Sequence, residues 1–129
     1  MKRILVVDDV PVVRMVIAKA LSRAGHQVAE AGSGEEALAV LARDGADVLV
    51  TDVWMPGQGG LGLIREARER YPGLALVAMS GGSPQTTLVG SLDDAQDAGA
   101  MVTLMKPVDT DELHAAIDEA LRYARKEAS

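Results

Sequence analysis

Asp8 and Asp9 follow the apolar run Ile4–Val7, Asp52 follows Val48–Thr51, Ser80 follows Leu74–Met79, and Lys106 follows Met101–Met105. The runs are short, aliphatic and bounded by polar residues, as expected of strands buried on both faces of a parallel sheet. Open α/β sheets bind ligands outside the carboxyl ends of their strands, so the residues at those ends decide the chemistry. Here they are carboxylates, a hydroxyl and an ammonium. Crowded carboxylates repel one another, and such a cluster either keeps protons or takes up a cation. An all-oxygen set with no Cys or His selects a hard ion such as Mg²⁺. Phosphoryl transfer needs an in-line nucleophile and positive charge on the transferred oxygens, which Mg²⁺ and Lys106 together supply.

The elements that must position these residues alternate along the chain. Ile4–Val7 reads as the first strand, followed by a helix with Val13, Val16, Ile17, Ala20 and Leu21 on one face and Gly25 at its end. Val28–Glu30 is a weak second strand. Ser33 and Glu36 have capping-box spacing ahead of a helix carrying Ala37, Leu38 and Leu41. Val48–Thr51 is the third strand, and a Gly-rich loop leads into a helix over Leu61–Arg70 that stops near Tyr71-Pro72-Gly73. Leu74–Met79 is the fourth strand. Ser91 and Asp94 again have capping-box spacing and Gly99 suits a C-cap, so a short helix is placed between them. Met101–Met105 is the fifth strand. The last helix starts near Asp109 or Thr110, buries Leu113, Ile117, Ala120 and Leu121, and ends in Arg122, Arg125 and Lys126, whose charges suit its dipole.

Strands alternating with helices imply a parallel sheet with helices on both faces, because each parallel crossover is right-handed and needs a covering element. The expected fold is α/β, a flavodoxin-like doubly wound five-stranded parallel sheet of order 2-1-3-4-5. That order makes strands one and three neighbours, and Asp8, Asp9 and Asp52 converge at the switch point between them.

The ordered set of Asp8-Asp9, Asp52 with Met55-Pro56, Ser80 with Gly81, and Lys106-Pro107 resembles the receiver domain of bacterial two-component response regulators, over essentially the whole chain. The resemblance implies that Asp52 is the phosphoacceptor nucleophile, becoming an aspartyl phosphate. Asp9 and Asp52 then ligate Mg²⁺ directly, Asp8 directly or through water, and the main-chain carbonyl of Trp54 completes the protein's share. Ser80 would hydrogen-bond a phosphoryl oxygen, Gly81 would leave room for the incoming group, and Lys106 would be aimed by a cis bond to Pro107.

Three features depart from the family pattern. Thr103 stands where Tyr or Phe is usual, so an aromatic switch is not expected; the chain has no Phe, and its aromatics are Trp54, Tyr71 and Tyr123. The segment Gly81–Gly90 is long and is expected to be a mobile loop. Trp54, two residues after Asp52, is bulky enough to shield an aspartyl phosphate from water. Gly57, Gly59 and Gly60 lack the Lys and Ser/Thr of a P-loop and read as turn residues that free the loop beside Asp52. His26 and His114 read as solvent-facing, with no role.

At 129 residues, 48% hydrophobic and 25% charged, the chain is the size of one domain, expected over residues 1–125 with a tail at 126–129. The net charge of -6 argues against a nucleic-acid partner held through its phosphates, and no membrane association is expected. With no Cys there are no disulfides, and the apolar part of the N-terminus is too short for a signal peptide, so a cytoplasmic address is expected. The expected function is a stand-alone phosphoacceptor switch of a phosphorelay, not an enzyme beyond its own phosphorylation and dephosphorylation. Its expected partners are a histidine kinase or histidine phosphotransfer protein, docking near Pro11, Arg14, Met15 and Pro107, and a downstream protein target. The alternative is a constitutive protein-binding pseudo-receiver without phosphorylation.

Overall fold

The computed structural model describes residues 2–55, 59–81 and 88–128. Strands β1 (Arg3–Val7), β2 (Gln27–Ala31), β3 (Val48–Asp52), β4 (Ala75–Ser80) and β5 (Val102–Met105) alternate with helices α1 (Pro11–Arg23), α2 (Gly34–Arg43), α3 (Gly59–Arg70), α4 (Leu88–Ala98) and α5 (Thr110–Ala128). The strands form one parallel sheet in the order β2-β1-β3-β4-β5, as expected from the sequence.

Successive side chains on a strand point to opposite faces, and the core divides accordingly. Leu5, Val7 and Leu49 pack with Ala37, Leu41, Leu63, Ile64 and Ala95 of α2, α3 and α4. Ile4, Val6 and Val50 pack with Ile17, Leu21, Leu113 and Ile117 of α1 and α5 on the other face. Burial of each Val, Leu or Ile side chain among these contributes about 1.5–3 kcal/mol. Because both faces are covered, the central strands β3 and β4 are buried along their whole length, which explains their unbroken apolar runs.

Local signals hold at several helix ends. Pro11 opens α1, where its missing N–H costs nothing. The Ser33 hydroxyl accepts from the Glu36 N–H at 3.1 Å, and the Glu36 carboxylate reaches back to the Gly32 N–H at 3.0 Å. Gly99, at φ +128°, closes α4 through N–H bonds to Ala95 and Gln96.

Several expectations are corrected. Helix α4 begins at Leu88, so Ser91 lies within it and does not cap it. The i, i+4, i+7 spacing of Leu88, Leu92 and Ala95 continues the helical period upstream and outweighs a cap signal that is purely local. In α1 the buried residues are Ile17, Ala18 and Leu21, while Val16 is 61% exposed. Leu121 is only partly buried. His26 and His114 are half-buried, with ring centroids 6.3 Å apart, and His26 Nδ1 accepts the Lys2 N–H at 3.1 Å. Helix α5 continues to Ala128, through most of the residues read as a tail. Of the segment Gly81–Gly90, expected to be a mobile loop, residues 82–87 lie outside the described residues, as do Pro56 and Gly57, while residues 88–90 form the first turn of α4. Among the described residues no helix is long and apolar enough to cross a membrane.

Candidate functional site

Strand register brings the polar strand ends together. Val7 pairs with Thr51 and Asp52 with Met79, so Asp8 and Asp52 end neighbouring strands at one level. Ser80 pairs with Met105 and its carbonyl accepts the Lys106 N–H at 2.9 Å, which carries the lysine to the same edge. The Lys106–Pro107 peptide is cis. Asp8 and Ser80 are fully buried and Asp52 is 6% exposed, whereas Asp9 stands at the solvent rim.

Asp8 is tied down at each end of its carboxylate. Oδ1 accepts the Val10 N–H at 2.9 Å, closing the turn into α1, and Oδ2 accepts from Lys106 Nζ at 2.8 Å. Lys106 Nζ also lies 3.4 Å from Asp52 Oδ1. Carboxylate oxygens of Asp8, Asp9 and Asp52 all lie within 4.8 Å of one another. Three carboxylates against one lysine leave two negative charges, the amount a divalent cation neutralises, and the donor atoms are all oxygen. The residues present therefore fit a hard divalent ion.

The electrostatics record the crowding. Burial holds the Asp52 carboxyl above the usual carboxylate range, with Asp8 adding to it, although Lys106 and the Trp54 N–H favour its charged form. For Lys106, burial disfavours the ammonium, but its hydrogen bond to Asp8 and the charges of Asp52 and Asp8 outweigh that and raise its pKa. Lys106 is thus a fixed cation.

Helix α3 begins directly on the back of Asp52. The Gly60 N–H bonds the Val53 carbonyl at 3.1 Å. A Cβ at Gly60 would fall on the Asp52 carbonyl oxygen and lie 2.7 Å from Val53 Cα. Gly60 is therefore a close-packing residue, where the sequence suggested only a turn; its signal was a glycine at a helix start. Gly59, at φ +74°, does serve conformation. Gly81 has only an ordinary contact available, to Lys106 Cβ.

Trp54 is half-buried and packs, with Met55 and Leu61, against the core beneath α2, α3 and α4. Thr103, half-buried on β5 opposite Ala78, occupies the position where an aromatic was missed in the sequence. Of the four docking candidates Pro11 and Pro107 are exposed and Met15 is 48% exposed. Arg14 is turned inward instead, its Nη1 donating to the Asp8 carbonyl at 2.8 Å and its Nε to Glu30 Oε1 at 3.2 Å.

Comparison with known proteins agrees with this geometry. The profile of the response regulator receiver domain matches residues 4–118. The chain belongs to the response regulator receiver domain family. The DNA-binding transcriptional regulator NtrC of Salmonella typhimurium is 35% identical over 122 residues, which are 95% of this chain and 25% of that protein. Response regulator MprA of Mycobacterium leprae is 38% identical over 123 residues, 95% of this chain and 52% of that one. A receiver domain crystal structure from Clostridium thermocellum superposes with a TM-score of 0.86 at 28% identity, covering 98% of each chain. The receiver thus spans about a quarter of the NtrC chain and half of MprA. These relatives lend no support to a stand-alone arrangement, and NtrC, by its name, binds DNA, so they lend none to the expected absence of nucleic acid either.

Proposed function

We propose that this receiver is a phosphoacceptor switch in which Asp52 takes a phosphoryl group from the phosphohistidine of a histidine kinase or phosphotransfer protein. The observation that carries the reading is a buried Asp52 carboxylate at the sheet's switch point, flanked by a fixed lysine at 3.4 Å and two further carboxylates. An Asp52 oxygen attacks phosphorus in line and the P–N bond of the donor breaks. The bonding pair stays on the imidazole nitrogen, which takes up a proton, and an aspartyl phosphate results. Asp52 must be ionised to attack, which Lys106 and the Trp54 N–H favour.

Asp9 and Asp52, with Asp8 directly or through water and the Trp54 main-chain carbonyl, would hold Mg²⁺. When bound, Mg²⁺ supplies positive charge to the transferred oxygens and relieves carboxylate repulsion. Lys106 would pair with one phosphoryl oxygen and the Ser80 hydroxyl would donate to another. The chain is proposed to catalyse only its own phosphorylation and hydrolysis, and by family membership to work in the cytoplasm. The donor is proposed to dock over α1 and the loop after β5, where Val12, Val16, Pro107 and Val108 line an apolar groove. A downstream protein target would read the phosphorylated state.

The test is intact mass after incubation with Mg²⁺ and acetyl phosphate. One added phosphoryl group on the native chain and none on a folded Asp52→Asn variant is the expected result. A folded native chain that no small phosphodonor modifies would overturn the switch and favour a constitutive binding module, the reading to which Thr103 also points.

A further inference from the structure

Arg14 lies on the first turns of α1 and does not face the solvent that surrounds much of that helix; its side chain is 22% exposed. Its guanidinium bridges the residue just past β1 to β2, with Nη1 donating to the main-chain carbonyl of Asp8 and Nε to the Glu30 carboxylate on β2. The guanidinium also packs closely against Gly32. A Cβ there would come within 3.1 Å of Nη1, and the Gly32 N–H is itself held by Glu36 Oε2 at 3.0 Å. Arginine holds the two acceptors with a rigid planar fork, a fixed geometry that the single ammonium of lysine on its flexible stem does not supply.

The carbonyl that Arg14 grips belongs to the peptide joining Asp8 to Asp9, so its orientation sets where both side chains start. Asp8 has further anchors in the Val10 N–H and Lys106. Asp9 has none: among the described residues no hydrogen bond or ion pair holds its carboxylate, which nonetheless lies within 4.8 Å of the oxygens of Asp8 and Asp52. Its placement is inherited from the peptide.

We propose that Arg14 is a positioning residue for the divalent-cation site, fixing the Asp8–Asp9 peptide against β2 so that the unanchored Asp9 carboxylate is held ready beside Asp8 and Asp52. The inference rests on the receiver reading, in which these carboxylates take Mg²⁺. Glu30 has a second part in the device, because it neutralises a cation that would otherwise oppose the metal. Removing Arg14 separates two effects of opposite sign. Coulomb's law alone makes a site bind Mg²⁺ more tightly when a nearby positive charge is deleted, whereas loss of positioning makes it bind more weakly.

The experiment is a Mg²⁺ titration at constant ionic strength, followed by the fluorescence of Trp54, the only tryptophan in the chain. Folding of each variant is checked by circular dichroism. Outer-shell partners of metal ligands are commonly worth 10- to 100-fold in affinity, and Arg14→Ala is expected to weaken Mg²⁺ binding on the order of 10-fold. Unchanged or tighter binding by folded Arg14→Ala would overturn the inference while leaving the receiver reading intact. If Arg14→Ala does not fold, Arg14→Lys decides, since it keeps the charge and loses the fork: weaker binding supports positioning and native binding overturns it. A native chain with no saturable Mg²⁺ response would overturn the receiver reading and this inference with it.

Discussion

Replacing Gly60 by alanine tests whether the switch-point geometry depends on direct backbone contact. The added methyl would fall on the Asp52 carbonyl oxygen and lie 2.7 Å from Val53 Cα and 2.8 Å from the Asp52 carbonyl carbon. All three neighbours are backbone, so no side chain can swing away. Either α3 lifts off β3 or the end of β3 bends. Overpacking usually costs about 1–3 kcal/mol where neighbours can adjust, and with backbone on both sides the top of that range, about 3 kcal/mol, is expected. For a domain of this size that lowers the melting temperature by about 10 °C. Two glycines of the same chain serve as controls. Gly59 has nothing within 4 Å but sits at φ +74°, so Gly59→Ala is expected to cost about 1 kcal/mol in conformation alone. Gly73 has neither neighbour nor positive φ, and Gly73→Ala is expected to fall within about 0.5 kcal/mol of native. Urea unfolding of the four proteins in chelator, with m-values compared, gives the ranking. The reasoning fails if Gly60→Ala is as stable as native, or if Gly59→Ala is the more damaging change.

Two further variants probe the charge cluster. Lys106→Met leaves the fully buried Asp8 without its cation; breaking a buried pair costs about 3–5 kcal/mol, and because Lys106 is 22% exposed about 2–4 kcal/mol is expected in chelator. Saturating Mg²⁺ should recover much of that loss, with metal affinity several-fold above native; equal losses with and without Mg²⁺, by urea unfolding, would refute it. For Asp52, the folded pKa is raised, chiefly by burial, so its contribution to stability is present below the ordinary carboxylate pKa and is lost as pH rises through the raised value. Asp52→Asn should therefore melt above native at pH 7 in chelator, and the difference should shrink on acidification towards about pH 4. A native protein more stable than the variant at pH 7 would contradict this.

Strand ends, sheet order and the convergence of Asp8, Asp9, Asp52, Ser80 and Lys106 were legible in the sequence, because each follows from signals within a few residues. Apolar runs too short for helices mark buried strands, the Ser33 and Gly99 caps are local hydrogen-bond chemistry, and the right-handed crossover leaves few ways to order five parallel strands. The site could be read with the fold because its residues sit at those strand ends.

Tertiary structure decided the rest, wherever several residues of the same kind competed for one environment. Helix α1 is apolar around most of its circumference, so periodicity could not separate buried Ala18 from exposed Val16; the position of β1 and β2 beneath the helix made that choice. Gly60 looked like its neighbour Gly59 until α3 was seen to start against the Asp52 carbonyl. Arg14 sits on a helix whose outer face suits docking, and only the nearness of the Asp8 carbonyl, Glu30 and the gap at Gly32 turns it inward. His26 and His114, far apart in sequence, come within 6.3 Å between ring centroids because α1 and α5 cover the same face of the sheet. Sequence patterns report what a residue can do with its neighbours along the chain, whereas burial, steric contact and charge pairing depend on distances that exist only once the chain has folded.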